Sequence, residues 1–351
     1  MTQKPPARLA FNALALQPEG SGVQTYVREL LRSLSVELDA HLVAAVRSDA
    51  TDQLPAIVEA RVRPPARGVR RFLEGARSIG PADLVHGLDA SVPIQRKVPM
   101  VVTVHDLAVY DVPWAFRRSW VLGTRAVMAH AMRRADEVIA VSEFTAERAR
   151  SRFGRSAKVI AEAPSASLGP PGDAEIEEVR GRYGLPRQFV LYVGTVEPRK
   201  DVATLSRACR ELEVPLAIAG RVGHLFQIPL GAQALGYVPE TDLAALYGAA
   251  TAVAYPSVYE GFGLPPLEAM ACGAPVVAYS IPPIREVVGD AALLTAPHDE
   301  QQLASALRSL LFDEDLRSAL SEAGLARSAE LTWDAAAAAT ANVYRSIGIT
   351  C

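Results

Sequence analysis

Residues 259–279 read YEGFGLPPLEAMACGAPVVAY. A Gly-Phe-Gly turn leads into Pro265 and Pro266, whose fixed φ suits the first turn of a helix. That helix carries Glu268 and ends at Gly273, just before the strand-like run APVVAY. Loop, helix and strand in this order make one step of a parallel α/β sheet. Upstream, the same rhythm runs through FVLYVG, a helix over Thr204 to Leu212, PLAIAG, AQALGY, the helix Glu240 to Gly248, and TAVAYPS. Before the charged helix Glu175 to Tyr183 lies a segment rich in Ala, Ser, Pro and Gly, from Glu162 to Pro171, which reads as a linker. An earlier series precedes it: LAFNALAL, VQTYVRELLRSLSVEL, HLVAAV, VPMVVTVHDL and AVMAHAMRRADEVIAVS. The expected fold is α/β with two doubly wound, Rossmann-like halves, residues 1–168 and 169–332. The alanine-rich helix Trp333 to Ser346, within 333–351, is left over and free to pack on either half.

The 351 residues exceed the usual size of one core, which agrees with two domains. Acids outnumber bases to a net charge of −3, so nucleic acid is not the expected partner. Cys209, Cys272 and Cys351 are far apart and odd in number, which excludes a disulfide framework and a zinc motif. No apolar run approaches the roughly 20 residues of a membrane span, and the N-terminus lacks a small-residue cleavage site. The expectation is a cytoplasmic protein, with peripheral contact at the inner face of the membrane left open.

The chemistry concentrates in three loops. Glu260 stays in the loop before the Pro-Pro helix and Glu268 rides on the helix, so their spacing is not a helix face. The amides of Gly261, Phe262, Gly263 and Leu264, with the positive end of the helix dipole, suit a phosphate. Glu260 would orient a neutral sugar and Glu268 hold ribose hydroxyls; the bland alternative is a turn with two solvated glutamates. In YVGTVEPRKDVATL a strand ends at Gly194 and a short loop delivers Glu197, Arg199 and Lys200, two cations placed to neutralise a departing diphosphate or, in the bland case, a solvated charge cluster. In the first half, VVTVHDL puts His105 at a strand end, where a lone histidine is more often structural. Gly20 and Gly22 precede a helix as an anion nest, but Thr25 breaks GxGxxG. Asp313-Glu314-Asp315 mimics a metal-binding DxD yet reads as a solvated turn, so no metal is expected.

Taken together these motifs resemble the retaining GT-B glycosyltransferases of family 4, with Glu260 and Glu268 matching the E-x7-E signature. Supporting stretches are GSGVQTYVREL, VVTVHDL, DEVIAVSEFTAERAR, VGTVEPRKD, LGYVPETDLAALYGAATAVAYPS, IREVVGDAALL and TWDAAAAATANVY, which together span nearly the whole chain. The resemblance implies two facing Rossmann-like domains across a cleft, with a C-terminal helix crossing back to the first. It implies a GDP- or UDP-linked sugar donor bound by the second domain and no other cofactor. Arg199 and Lys200 would meet the diphosphate, Glu268 the ribose, and Glu260 with the 261–264 amides the sugar and phosphates; His105 and Gly22 would approach the sugar. Two positions depart from the family pattern: Thr195 stands where arginine is common, and Asp201 where asparagine is.

The implied reaction is retaining transfer to a hydroxyl acceptor, such as a lipid-linked or oligosaccharide precursor of a polysaccharide, with the leaving diphosphate taking the acceptor proton. Mannosyltransferase-like members are the nearest in motif form. The stretch holding Arg61, Arg63, Arg67, Arg70, Arg71 and Arg77, and the VPWAFRRSW segment with Trp114, Phe116, Arg117, Arg118 and Trp120, suit an anionic lipid headgroup or a plain solvated surface. Alternatives are a non-catalytic nucleotide-sugar-binding regulator and a nucleotide-sugar epimerase of the same fold. The missing GxGxxG argues against an NAD oxidoreductase.

Overall fold

The computed structural model describes residues 6–18, 20, 22–66, 69–95, 97–223 and 227–351. The chain forms two compact units, one of residues up to Glu162 with Thr332–Cys351, the other Ala163–Leu331. The first unit contains β1 (Ala7–Asn12), α1 (Gly22–Glu37), β2 (Ala40–Arg47), β3 (Glu59–Arg63), α2 (Val69–Gly75), β4 (Leu84–Gly87), β5 (Met100–Val104), α3 (Ala108–Asp111), α4 (Arg118–Arg134), β6 (Glu137–Ala140), α5 (Glu143–Phe153) and β7 (Lys158–Val159). The second contains α6 (Asp173–Tyr183), β8 (Val190–Val193), α7 (Val202–Glu211), β9 (Leu216–Ala219), β10 (Ala232–Gly236), α8 (Glu240–Ala249), β11 (Ala252–Tyr255), α9 (Leu264–Ala271), β12 (Val276–Tyr279), α10 (Pro282–Val288), β13 (Leu293–Thr295), α11 (Glu300–Phe312) and α12 (Glu314–Ala329). The last helix, α13 (Trp333–Ser346), belongs to the first unit.

Both sheets are parallel throughout, in the orders β3-β2-β1-β4-β5-β6-β7 and β10-β9-β8-β11-β12-β13. Their central strands are apolar without alternation, because helices cover both faces; every residue of β5 and β11 is buried. Leu9 of β1 stands opposite Leu42 of β2 and Leu84 of β4, which fixes the register on both sides of the first strand. The order reverses between β1 and β4 and again between β8 and β11, and each reversal opens a crevice at the carboxyl ends of those strands.

Helix ends follow local chemistry. Ser142 caps α5 by accepting from the Thr145 amide, and Gly154 in the left-handed region ends it. The Asp313-Glu314-Asp315 run is the junction of α11 and α12, where Asp313 accepts from the Leu316 amide at 2.9 Å as an N-cap. α13 presents Trp333, Ala336, Ala337, Thr340, Ala341 and Tyr344 on one buried stripe, and its small residues let it lie close against α1.

A buried hydrogen-bond chain secures α13. The Tyr344 hydroxyl lies 2.7 Å from His86 Nδ1, His86 Nε2 lies 2.9 Å from Thr103 Oγ1, and Thr103 Oγ1 lies 2.8 Å from the Tyr26 hydroxyl. Full burial, with the neighbouring His105 adding a smaller push, lowers the His86 pKa from 6.5 to about 3. His86 is therefore neutral in the folded protein, whereas the unfolded chain takes up its proton near pH 6.5. The folded pKa being the lower one, this stability is present above pH 6.5 and is lost as pH falls towards 3. All three tryptophans, Trp114, Trp120 and Trp333, lie in the first unit, so their fluorescence reports its unfolding. Between pH 6 and pH 5 urea unfolding read this way should weaken by about 1 kcal/mol more in the wild type than in His86→Gln. Equal losses would show that His86 does not titrate between the two states.

Candidate active site

At the strand reversal of the second unit, two loops leave neighbouring strands. After β8 comes Gly194, then a single 3-10 turn, Pro198–Lys200, opened by proline; after β11 comes the loop that reaches Glu260. The loops are stitched together: the Val258 amide donates to the Arg199 carbonyl at 2.8 Å, and the Arg199 guanidinium donates to the Tyr259 carbonyl at 2.7 Å. Glycine is required where the chain leaving β8 passes that leaving the neighbouring β9. Gly194 and Gly220 both have φ of +144°, and a Cβ on Gly220 would stand 2.1 Å from the Gly194 carbonyl oxygen.

Glu260 is the hub. Its Oε1 accepts from Lys200 Nζ, from Ser257 Oγ at 2.5 Å, from the Tyr255 hydroxyl at 3.1 Å, and pairs with Arg199 at 3.0 Å. Arg199 also pairs with Glu197 at 2.7 Å, and Lys200 Nζ sits 4.6 Å from the centre of the Tyr255 ring. Burial alone would raise the Glu260 pKa, but the charges of Arg199 and Lys200 and the bonds from Lys200 and Ser257 hold it down at about 2. Burial, followed by the like charge of Arg199, lowers that of Lys200 against the pull of Glu260. The four side chains Glu197, Arg199, Lys200 and Glu260 sum to zero charge.

The loop from Tyr259 to Leu264 is buried throughout. Gly263 precedes α9 at φ +122°, and a Cβ there would meet Ile284 Cδ1 at 2.5 Å. Pro265 and Pro266 carry no N–H, so the donors near the start of α9 are those of Gly261, Phe262, Gly263 and Leu264 before the prolines and of Leu267 after them. Glu268, on the second turn of α9, accepts from the Tyr247 hydroxyl of α8 at 3.1 Å, so the two glutamates of the E-x7-E pair have different partners.

Asp201 does not point its charge at Lys200. Its backbone takes the left-handed region at φ +41°, which Asp tolerates, and its carboxylate is held by the Tyr279 hydroxyl at 2.9 Å, Thr204 Oγ1 at 2.8 Å and His298 Nδ1 at 2.8 Å. This arrangement starts α7 at Val202, two residues before the Thr204 expected from the apolar pattern. Thr195 is exposed and its carbonyl accepts from the Tyr192 hydroxyl at 3.0 Å.

In the first unit His105 follows β5 and has both ring nitrogens occupied. Nδ1 lies 2.9 Å from Glu162 Oε1, and Nε2 donates to the Leu88 carbonyl at 2.8 Å. Any ligand contact of this ring must share or replace one of those bonds. The Tyr26 ring of α1 meets His105 edge-on at 4.6 Å. Gly22 opens that helix in an exposed position, and Ser21 lies outside the described residues. Of the arginine-rich stretch, Arg61 pairs with Glu59, Arg71 with Asp89 and Arg77 with Glu74, so much of its charge is neutralised; Arg67 lies outside the described residues. Trp114, Arg117, Arg118 and Trp120 are exposed, with Trp120 packed on Phe72. The sequence did not single out Glu162, Ser257, Tyr255 or Tyr247; the two tyrosines read as strand and helix core, and Glu162 stood in the linker.

Among the described residues no three His, Cys, Asp or Glu side chains gather as a metal-holding group, and no helix is long and apolar enough to cross a membrane.

The parallel sheets and interleaved helices match solved GT-B structures. Sucrose-phosphate synthase from Thermosynechococcus elongatus aligns with TM-score 0.76 at 22% identity over 97% of this chain and 99% of that one. HepE of Anabaena, in complex with UDP and glucose, aligns with TM-score 0.78 at 20% identity over 97% and 100%. The family model described as Glycosyltransferase Family 4 matches residues 20–162, and that described as Glycosyl transferases group 1 matches residues 175–327. The O-antigen chain mannosyltransferase B of Escherichia coli is 33% identical over 282 residues, covering 75% of this chain and 74% of that protein. The chain belongs to the family 4 GT-B glycosyltransferases.

The Glu260 hub makes a prediction independent of substrate. Glu260→Gln leaves buried Lys200 without its carboxylate and should destabilise the second unit by ~3 kcal/mol, most of it recovered in the double variant with Lys200→Met. Pulse proteolysis of the four proteins measures this, and simply additive losses would show that the pair is not coupled.

Proposed function

We propose that the protein is a retaining hexosyltransferase that moves mannose from a nucleoside-diphosphate donor, GDP-mannose before UDP-linked sugars, to a hydroxyl of an oligosaccharide or lipid-linked precursor. The observation that carries this reading is the Arg199–Lys200–Glu260 cluster at the strand reversal of the second unit, where open α/β sheets bind ligands. The mannosyltransferase relative supports the choice of sugar. The family resemblance supports retention.

In this reading Lys200 and Arg199 meet the diphosphate, the amides of Gly261 to Leu264 cradle it, and Glu268 holds the ribose. Glu260 faces the sugar with Oε2, since its protein bonds fall on Oε1. Transfer breaks the bond between the anomeric carbon and the diphosphate oxygen and forms one to the acceptor oxygen, whose proton passes to the diphosphate. The cations favour that step because negative charge grows on the leaving group while they are already in place. Exposed Trp114, Trp120, Arg117 and Arg118 suit an anionic headgroup next to a lipid-linked acceptor.

A thermal-shift panel of nucleotide sugars tests the donor. GDP-mannose should raise the melting temperature most, because a ligand that binds only the native state stabilises it by mass action. A panel with no response would remove the donor site. With the donor known, Lys200→Ala should lower turnover about 100-fold or more while changing donor affinity far less. The wild-type rate should persist in EDTA, since the leaving group is assigned to side-chain cations; loss restored by manganese would assign it to a metal instead.

A further inference from the structure

Glu162, three residues beyond β7, is buried, and its Oε1 lies 2.9 Å from His105 Nδ1. The other ring nitrogen faces the Leu88 carbonyl at 2.8 Å. A carbonyl oxygen has no proton to give, so Nε2 carries one and donates. With Glu162 ionised, the 2.9 Å contact needs a second proton on Nδ1, which makes the ring an imidazolium paired with a carboxylate. Of the groups around the ring, Asp89, after β4, favours this state by its negative charge, though it is itself paired with Arg71; the others are the Tyr26 ring of α1 in a T-shaped contact at 4.6 Å, neutral His86 of β4, and Thr145 of α5, which donates to the His105 carbonyl at 3.4 Å. Burial alone would lower the His105 pKa, but the bond and charge of Glu162, with the Leu88 carbonyl and Asp89, carry it above 6.5.

We propose that Glu162 is a positioning residue for the transfer reaction, locking the His105 ring against Leu88 through its bond to Nδ1 and favouring the doubly protonated ring. This rests on the glycosyltransferase reading in which His105 meets the sugar. A lone imidazolium would oppose the positive charge that grows at the anomeric carbon. Paired with Glu162 it carries no net charge, while both of its N–H bonds keep a fixed direction.

Full-length protein labelled in its histidine rings provides the test, with the His105 resonance assigned by its loss in His105→Ala. In the wild type the ring should titrate above pH 6.5. In Glu162→Gln, whose amide still reaches Nδ1 without charge, the titration should fall by at least one pH unit, whereas Glu162→Asp should stay near the wild type. GDP release from GDP-mannose with an octyl mannoside acceptor should lose kcat as pH rises through the His105 titration. That limb should move down by the same interval in Glu162→Gln, with the donor KM within threefold. An unchanged titration in Glu162→Gln overturns the proposal, as does a shifted titration with an unshifted kcat profile. Failure of the wild type to use any nucleotide sugar, with the titration still shifted, would instead overturn the glycosyltransferase reading and the catalytic part of the proposal with it, while leaving the ion pair established.

Discussion

All strands of both sheets run parallel and the central ones are covered by helices on both faces, so polar side chains have few places inside the middle of the sheets and collect at their carboxyl ends. Where the strand order reverses, between β1 and β4 and between β8 and β11, the loops diverge to opposite faces and leave room between them. The second unit fills that place with Arg199, Lys200 and Glu260. The first brings Leu88, after β4, together with His105, after the adjacent β5. Among the polar residues within the first sheet, His86 and Thr103 are tolerated because Tyr26 and Tyr344 complete their hydrogen bonds.

The backbone of the second unit was legible because its signals are local. Pro265, Pro266 and Gly273 mark the start and end of α9 to within two residues, and Gly194 marks the end of β8. The doubly wound class followed from the alternation of apolar runs and helices, while the strand order came from the structure. The ionic partnerships were less legible. Lys200 and Glu260 stood out singly, but their contact joins residues sixty apart. Glu162 was hidden in a segment whose alanines and prolines read as linker, although it lies in the first unit, bonded to His105. Asp201 looked like a carboxylate set against a lysine; its left-handed backbone, which composition does not disclose, turns it to Tyr279, Thr204 and His298.

His86 and His105 show how position along neighbouring strands shifts two imidazoles in opposite directions. His86 lies inside β4 among hydroxyls, which bond a neutral ring as well as a charged one, so desolvation decides and the ring stays neutral. His105 lies just past the end of β5, where a carboxylate and a carbonyl can reach it, and both of those favour protons on the ring. The two histidines also interact: a charged His105 makes a second charge at His86 costlier, so each reinforces the state of the other.

Arg199 and Lys200 are held close to carboxylates, and this sets a condition on any anion that binds them. Lys200 can be 6% exposed because Glu260 compensates its charge, and Arg199 is compensated by Glu197 and Glu260. In the proposed reading an arriving diphosphate would meet a cluster with no net charge and would have to compete with Glu260 for the ammonium group. That competition weakens the attraction of a simple phosphate. A ligand that also offers hydroxyls to Glu260 returns hydrogen bonds to the displaced carboxylate, so it loses less. In that reading the pairing would discriminate in favour of a diphosphate carrying a sugar over a bare phosphate, through the charge balance of four side chains.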